Sequence, residues 1–521
     1  MEETMSAANR SLHFRRLKEE FVTDLGGTTL LENVMVLSLL PLLVLNRGVF
    51  NLLWPQVHPS WFQFFCDLMF LVLPIQLSLT LFSGYLSAFL ATVLLSTLPS
   101  LLCLLWPHVS SYDSSLKNQL SSAFSATLSS NLSSQRLPCV TAFRSCTLLL
   151  TAICILAVDF RMFPRRFAKT EVHGTGLMDL GTGCFVLANA LTAPEAREMR
   201  TSMAAHWFLK KQVVSTSVLV GLGMGRLVAT EITGYHGHVT EYGIHWNFFF
   251  TLAVIRIFAA LLRLTGVRRC WCLALIVATA YELALLCFGL KSFILHGRAA
   301  TGDRTDFISA NREGLASTWG YMALYLGGVE LGRWLRCAHR GSLTLTDWLW
   351  RLLGLLFANA VFWSLLSICQ VLVDPVSRRL ANLGFQLWTL AQGSLLLSLF
   401  LLVDVTLAGL RTLLRHFHVS SGRHRKPVNT DQGVCGAGEP TANRSEHFGI
   451  CLLDAINRNA LLFFLLANLG TGLTNLVLDT LSTSSGHASI VLSVYILGLC
   501  LSMHLLQSCL VKSVEPGSSH Q

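Results

Sequence analysis

Residues 349 to 373 read LWRLLGLLFANAVFWSLLSICQVLV, an unbroken apolar stretch whose one charged residue, Arg351, stands near its start. At a rise of about 1.5 Å per residue, a helix of this length crosses the roughly 30 Å hydrocarbon core of a bilayer. A barrel strand would instead alternate polar and apolar residues over about ten positions, which this stretch does not do. Lipid supplies no partners for backbone N–H and C=O groups, so the run must satisfy its own, and the α-helix does so.

The same reading holds along most of the 521 residues. Hydrophobic residues make up 52% of the chain and charged ones 13%, about half the charged share of a soluble domain. Polar surface this sparse cannot cover a water-exposed fold. The expected fold class is therefore an all-α polytopic membrane helix bundle with about thirteen transmembrane helices. The expected spans are Leu30–Val49, Trp61–Phe82, Tyr85–Trp106, Val140–Val158, Leu177–Leu191, Val213–Val228 and Phe248–Leu264, then Cys272–Leu290, Thr318–Leu335, Leu349–Val373, Leu383–Leu410, Leu461–Leu478 and Ile490–Leu510. A polar segment, 1–29, precedes a single multi-span domain, 30–511, and a short tail, 512–521, follows it. The domain includes a Ser-rich loop, 109–138, and a basic loop, 411–458. Nothing before Phe21 resembles a cleaved signal peptide.

The net charge is +10. Its basic residues lie in short loops between apolar runs, so membrane orientation and lipid headgroups account for them and no nucleic-acid partner is expected. Fifteen cysteines are scattered through the apolar runs, and Cys270 with Cys272 has no second pair. Neither a disulfide framework nor a metal site is expected. Lys and Arg cluster after the fifth, seventh, ninth and eleventh spans (Arg197, Arg200, Lys210, Lys211; Arg263, Arg268, Arg269; Arg336, Arg340; Arg411, Arg415, Arg423, Arg425, Lys426), all on one face. The opposite segments Glu231–Gly243 and Ser482–His487 contain none. The first face is expected in the cytosol together with the carboxyl terminus. Of three Asn-X-Ser sequons, Asn9 is on the permitted side, whereas Asn131 and Asn443 fall in cytosolic loops.

Four polar segments lie on the non-cytosolic face. The first runs from Val158-Asp159-Phe160 through Phe163-Pro164-Arg165-Arg166-Phe167-Ala168-Lys169-Thr170-Glu171 to Asp179; it is basic on the face that should be poor in Lys and Arg. The second runs from Tyr235 to Phe250 and includes His238, Glu241, His245 and Asn247. The third is Ser309–Gly314, with Asn311 and Arg312, and the fourth Ser377–Asn382. Asp159 closes a span, where it is either an interfacial residue in water or a general base for a hydroxyl nucleophile, its pKa raised by partial burial and tempered by a cation. Lys169, ten residues on, is the candidate cation. Arg165 and Arg166 either snorkel to headgroups or bind a substrate phosphate. Asp179, within an apolar stretch, calls for a partner in the bundle. His238 and His245, seven apart, share a face if their segment is helical, but without His-Glu-X-X-His spacing they fit a polyol contact better than a metal. Asn311, Arg312, Asn382 and Asn468 are candidates for interhelical bonds or substrate contacts. Glu171, Glu241 and Asn247 join the substrate-binding candidates.

The first segment resembles the signature of the glucosaminyl-phosphatidylinositol inositol acyltransferases, the phosphatidylinositol-glycan class W proteins of animals and the GPI-anchored wall transfer proteins of fungi. Glu241-Tyr242-Gly243 with His245-Trp246-Asn247-Phe248-Phe249-Phe250 resembles a second motif of that family. Asn311-Arg312-Glu313-Gly314 resembles a third, and Asn457-Arg458-Asn459 with Leu465-Leu466-Ala467-Asn468-Leu469 a fourth. Gly26-Gly27-Thr28-Thr29 departs from the family's frequent Asn-Gly-Thr, and Gly237 stands where an acidic residue is common. The resemblance implies a thirteen-span enzyme of the endoplasmic reticulum that moves a palmitoyl chain from acyl-CoA, a co-substrate rather than a cofactor, to the inositol ring of glucosaminyl-phosphatidylinositol. It implies catalytic roles for Asp159 and Lys169 and motif loops facing the lumen. The rival classes are a transporter, for which no repeated halves are visible, and a lipid-binding subunit without chemistry of its own.

Overall fold

The computed structural model describes residues 25–54, 60–109, 131–132, 137–197, 205–233, 239–264, 269–298, 302, 304–336, 343–421 and 451–514. The long helices are α1 (Leu30–Leu53), α2 (Ser60–Leu79, with a π turn at Leu68–Val72), α3 (Leu86–Val109), α4 (Pro138–Ala157), α5 (Leu177–Thr192), α6 (Ala205–Thr233) and α7 (Phe248–Leu264). After them come α8 (Cys270–Cys287), α9 (Arg312–Arg336), α10 (Leu345–Leu372), α11 (Leu383–Ser421), α12 (Ala460–Val477) and α13 (Ser485–Val514). A two-residue ladder pairs Asn131–Leu132 with Leu343–Thr344. Each expected span falls on one of these helices. Among the described residues, ten helices are long and apolar enough to cross a membrane. The others, α5, α7 and α9, are too short or too polar for that criterion.

Local chemistry fixes several boundaries. Thr29 caps α1 by accepting from the Glu32 N–H, and Thr344 with Asp347 forms a capping box at α10. Helix α9 begins at Arg312 rather than at Thr318, because its charged first turn is neutralised in place: Glu313 is fully buried and accepts from Arg304 at 2.6 Å and Arg379 at 3.2 Å. Helix α11 runs beyond the expected Leu410 to Ser421, and a separate helix, Cys451–Arg458, precedes α12. The amino-terminal segment before Leu25, the Ser-rich residues 110–130, Asn9 and Asn443 lie outside the described residues.

Close packing at the centre depends on small residues. Gly328 and Gly332, one turn apart on α9, lie against Ala190 and Ala196; a Cβ at either would stand 2.7 and 3.0 Å from those methyls, the approach that Gly-X-X-X-Gly allows. Large apolar side chains remain exposed on the periphery, among them Ile232, Val371 and Leu372, where lipid rather than water is their natural neighbour. A buried ion pair, Arg47 to Asp67 at 2.7 Å, ties α1 to α2, and Asp67 also accepts from the Leu452 N–H. The chain passes back and forth, so the segments before α1 and between α4/α5, α6/α7, α8/α9, α10/α11 and α12/α13 meet at one end of the bundle. Bonds between Glu171 and Leu25, Gly174 and Val376, Lys169 and Glu241, His245 and Asn311, and Asp159 and Asn475 join them. All four polar segments are at this end.

Candidate active site

The α4–α5 loop is built on three phenylalanines. Phe160, Phe163 and Phe167 are fully buried and root the loop in the apolar core. Arg165 folds back over the end of α4, donating to the carbonyl of Val158 (2.6 Å), the residue that closes the helix and whose carbonyl has no intrahelical donor, and to the loop carbonyls of Phe160 (3.2 Å) and Phe163 (3.3 Å). Burial lowers its pKa to about 10, with the nearby Asp159 carboxylate acting in the opposite sense. Arg166 turns outward, forms an ion pair with Glu32 at 2.9 Å, donates to the Ser83 carbonyl and lies over the Phe167 ring. In this structure both arginines thus have protein partners.

Asp159, half-buried at the end of α4, accepts at Oδ2 from the Asn475 amide on α12 at 2.7 Å. Lys169 stands at the far side of the same loop. Its Nζ reaches both oxygens of Glu241, at 2.9 and 3.0 Å. Burial pushes the Glu241 carboxyl up, but Lys169 and then Arg378 outweigh that and hold it at about 2, below the usual glutamate range. A carboxylate depressed in this way adds stability above its unfolded value, which is lost as pH falls toward about 2, so the pair is intact at neutral pH.

Asp179, in the first turn of α5, is fully buried. One oxygen accepts from Arg378 Nε at 2.5 Å, and the other from both the Thr170 N–H (2.9 Å) and the Thr170 hydroxyl (2.8 Å). The residue beside Lys169 is thereby fixed to the α10–α11 segment. Arg378 itself is buried; burial would lower its pKa, and Asp179 and then Glu241 raise it above the ordinary arginine value. Lys169, Glu241, Arg378 and Asp179 therefore form a sequence of alternating charges through the centre of this end of the bundle.

The second polar segment is not one continuous helix. A single turn, Val239–Tyr242, ends at Gly243, whose φ of +110° only glycine adopts readily. A Cβ there would also fall 2.5 Å from the Asn311 Cα. The condition for placing His238 and His245 on one helical face is not met, and His238 lies outside the described residues. Asn311, fully buried, accepts at Oδ1 from the N–H groups of His245 (2.8 Å) and Trp246 (2.9 Å). Asn247 caps α7 through the Phe249 and Phe250 N–H groups and donates to the Gly223 carbonyl. Arg312 donates to the Ile294 carbonyl at 3.0 Å. Asn382 accepts from the Ser377 and Phe385 N–H groups, and Lys291 pairs with Asp374 nearby at 2.7 Å. Glu171 is exposed, and its backbone N–H donates to Leu25. Asn468 is exposed on α12 and donates to the Phe464 carbonyl of its own helix.

The GWT1 family profile matches residues 14–506. The chain belongs to the GWT1 family. It is 36% identical over 507 residues to the glucosaminyl-phosphatidylinositol-acyltransferase PIGW of Bos taurus, covering 94% of this chain and 97% of that protein. It is likewise 36% identical over 501 residues to the Homo sapiens protein of the same name, with the same coverage. To the GPI-anchored wall transfer protein 1 of Gibberella zeae it is 33% identical over 499 residues, covering 90% and 93%.

Within this GWT1 chain the motifs are brought together by contacts distant in sequence. The Gly26-Gly27-Thr28-Thr29 segment lies beside the first motif, where Gly27 bridges Thr175 and Thr28 donates to the Thr175 carbonyl. Three residues of the arrangement were not singled out from sequence. Arg378 carried a signal, since it is basic on the face that should lack Lys and Arg. Glu32 stands at the start of an apolar span, where a carboxylate is unusual. Asn475 is a polar residue in an apolar span, two turns after Asn468 and so on the same side of α12.

Proposed function

We propose that the chain is an acyltransferase that moves a fatty acyl chain, palmitoyl in the expected case, from acyl-CoA to an inositol hydroxyl of glucosaminyl-phosphatidylinositol, a step of GPI-anchor biosynthesis in the endoplasmic reticulum membrane. The observation that carries this reading is a carboxylate, Asp159, held by an amide at the end of a membrane helix, on the same loop as an ammonium, Lys169, in a chain whose named relatives are acyltransferases for this lipid.

Asp159 takes the inositol hydroxyl proton as that oxygen attacks the thioester carbonyl carbon. The C–S bond then breaks, and the proton passes from Asp159 to the departing CoA thiolate. An ammonium carries three hydrogens, so Lys169, bound to Glu241 yet 39% exposed, keeps donor capacity for the developing oxyanion. Direct transfer is favoured over an acyl-enzyme, because no Ser or Cys among the described residues of the α4–α5 loop is bonded to a base, and the Ser484–His487 contact at 2.9 Å is exposed at the start of α13. Arg165 and Arg166 stand at the rim as the charges available to a phosphate of CoA or lipid, Arg166 being the more open.

Purified protein incubated with labelled acyl-CoA and glucosaminyl-phosphatidylinositol is expected to yield inositol-acylated lipid. Export of the lipid without an ester, or binding alone, would assign the chain to a transporter or to a lipid-binding subunit. All thirteen helices cross in this reading, with the site end in the lumen and the carboxyl terminus in the cytosol. A cysteine introduced at Glu171 is expected to react with an impermeant maleimide only after the organelle membrane is opened; labelling of sealed vesicles with the cytosolic face outward would reverse the orientation.

A further inference from the structure

Asn475, half-buried on α12, leaves one end of its amide without a partner among the described residues, as Asn33 and Gln392 do, but where those two donate to backbone carbonyls, Asn475 donates to Asp159. Asn247, Asn311 and Asn382 each use both amide ends on the protein, accepting from backbone N–H groups and donating to carbonyls. Asn475 uses one. Its Nδ2 donates to Asp159 at 2.7 Å, whereas its Oδ1 is buried and accepts from no donor among the described residues. The carboxylate fixes which way the amide faces: an ionised carboxylate only accepts, so the NH2 group must point to Asp159 and the carbonyl elsewhere. Polar neighbours on the same helix are already engaged, Thr471 with the Ala467 carbonyl and Thr474 with the Gly470 carbonyl. A buried acceptor without a donor is costly to keep.

We infer that Asn475 is a substrate-binding residue whose Oδ1 accepts a hydrogen bond from the hydroxyl next to the one that Asp159 deprotonates. This rests on the acyl-transfer reading and deepens it. Neighbouring hydroxyl oxygens on a six-membered polyol ring lie roughly a hydrogen-bond length apart, about 2.9 Å. A carboxylate oxygen and an amide oxygen joined by an amide-to-carboxylate bond present two acceptors side by side, so that two adjacent hydroxyls can each donate to one of them. One would receive the reacting hydroxyl and the other its neighbour. The Asp159–Asn475 pair would in this way choose the ring position by its flanking hydroxyl, and α12 would contribute specificity to chemistry placed on α4.

The test uses the full chain in detergent or nanodiscs, with acyl-CoA and either glucosaminyl-phosphatidylinositol or analogues lacking one hydroxyl flanking the acylated position. For the unaltered protein, one flanking deoxy analogue is expected to lower kcat/KM about tenfold, the effect of one lost hydrogen bond. In Asn475→Ala, turnover of the natural lipid should fall and the ratio between the two lipids approach one. Should that chain not elute as a single species, the ratio is read in Asn475→Ser. A variant that is slower on both lipids yet keeps the tenfold ratio overturns the inference, leaving Asn475 a positioning residue for Asp159. So does an unaltered protein indifferent to every flanking deoxy analogue. No acylated product at all from the unaltered protein overturns the acyl-transfer reading itself.

Discussion

Asp159→Asn is expected to lower kcat for inositol acylation by about 10²- to 10⁴-fold, the usual contribution of a positioned general base, with little change in KM. The substitution separates chemistry from fold. The new Oδ1 still accepts from Asn475 at the position that Oδ2 occupies now, so the α4–α12 contact persists, while the amide cannot take a proton at neutral pH. Because the loop after Asp159 is rooted by three fully buried phenylalanines and by Arg165 on backbone carbonyls, its course does not depend on that charge. Lipid binding should therefore survive, placing the loss in the transition state. Acylation by the Asn variant within a few-fold of the unaltered rate would remove Asp159 from the chemistry. Lys169→Ala is expected to differ in kind. It also leaves Glu241 without the ammonium that holds its carboxyl near 2, so both the oxyanion donor and the setting of the second polar segment are lost.

Much of this architecture is legible residue by residue. Apolar runs such as 349–373 find their helices, and the parity of thirteen runs places the four polar segments at one end, where they meet. The misjudged boundary, Arg312 against Thr318, arises because hydropathy treats a charge as solvent-seeking. Here Glu313 is fully buried against Arg304 and Arg379, and the charged turn remains helical. Partner choice was not legible. Sequence proximity offers Lys169 to Asp159, ten residues away, but the fold gives Lys169 a carboxylate 72 residues on, Asp159 an amide 316 residues on, and Asp179 a guanidinium 199 residues on. In a helical bundle, residues near one another at an end are separated by whole spans, and no local periodicity encodes which loops touch. Motif resemblance identified the segments; only the fold shows that Asn247, Asn311 and Asn382 cap helices and hold loops.

The second large effect is expected at Asp179, which acts through Thr170 rather than on substrate. Asp179→Asn removes the negative charge facing Arg378 in a site closed to solvent, and breaking one member of a buried pair typically costs about 3–5 kcal/mol. Detergent-solubilised protein should accordingly lose thermal stability, and acylation should fall by more than the folded fraction does, because Arg378 and the two Thr170 donors, which now divide between the two carboxylate oxygens, would compete for the one oxygen that an amide offers. A double variant, Asp179→Leu with Arg378→Met, is the discriminating case. It replaces the buried pair by apolar side chains of similar length and is expected to regain much of the stability. It restores no acceptor for Thr170, so Lys169 stays misplaced and activity stays low. Recovery of both stability and activity in the double variant would show that the pair matters only to folding; a single variant as stable and active as the parent chain would show that Thr170 is held in place by other contacts.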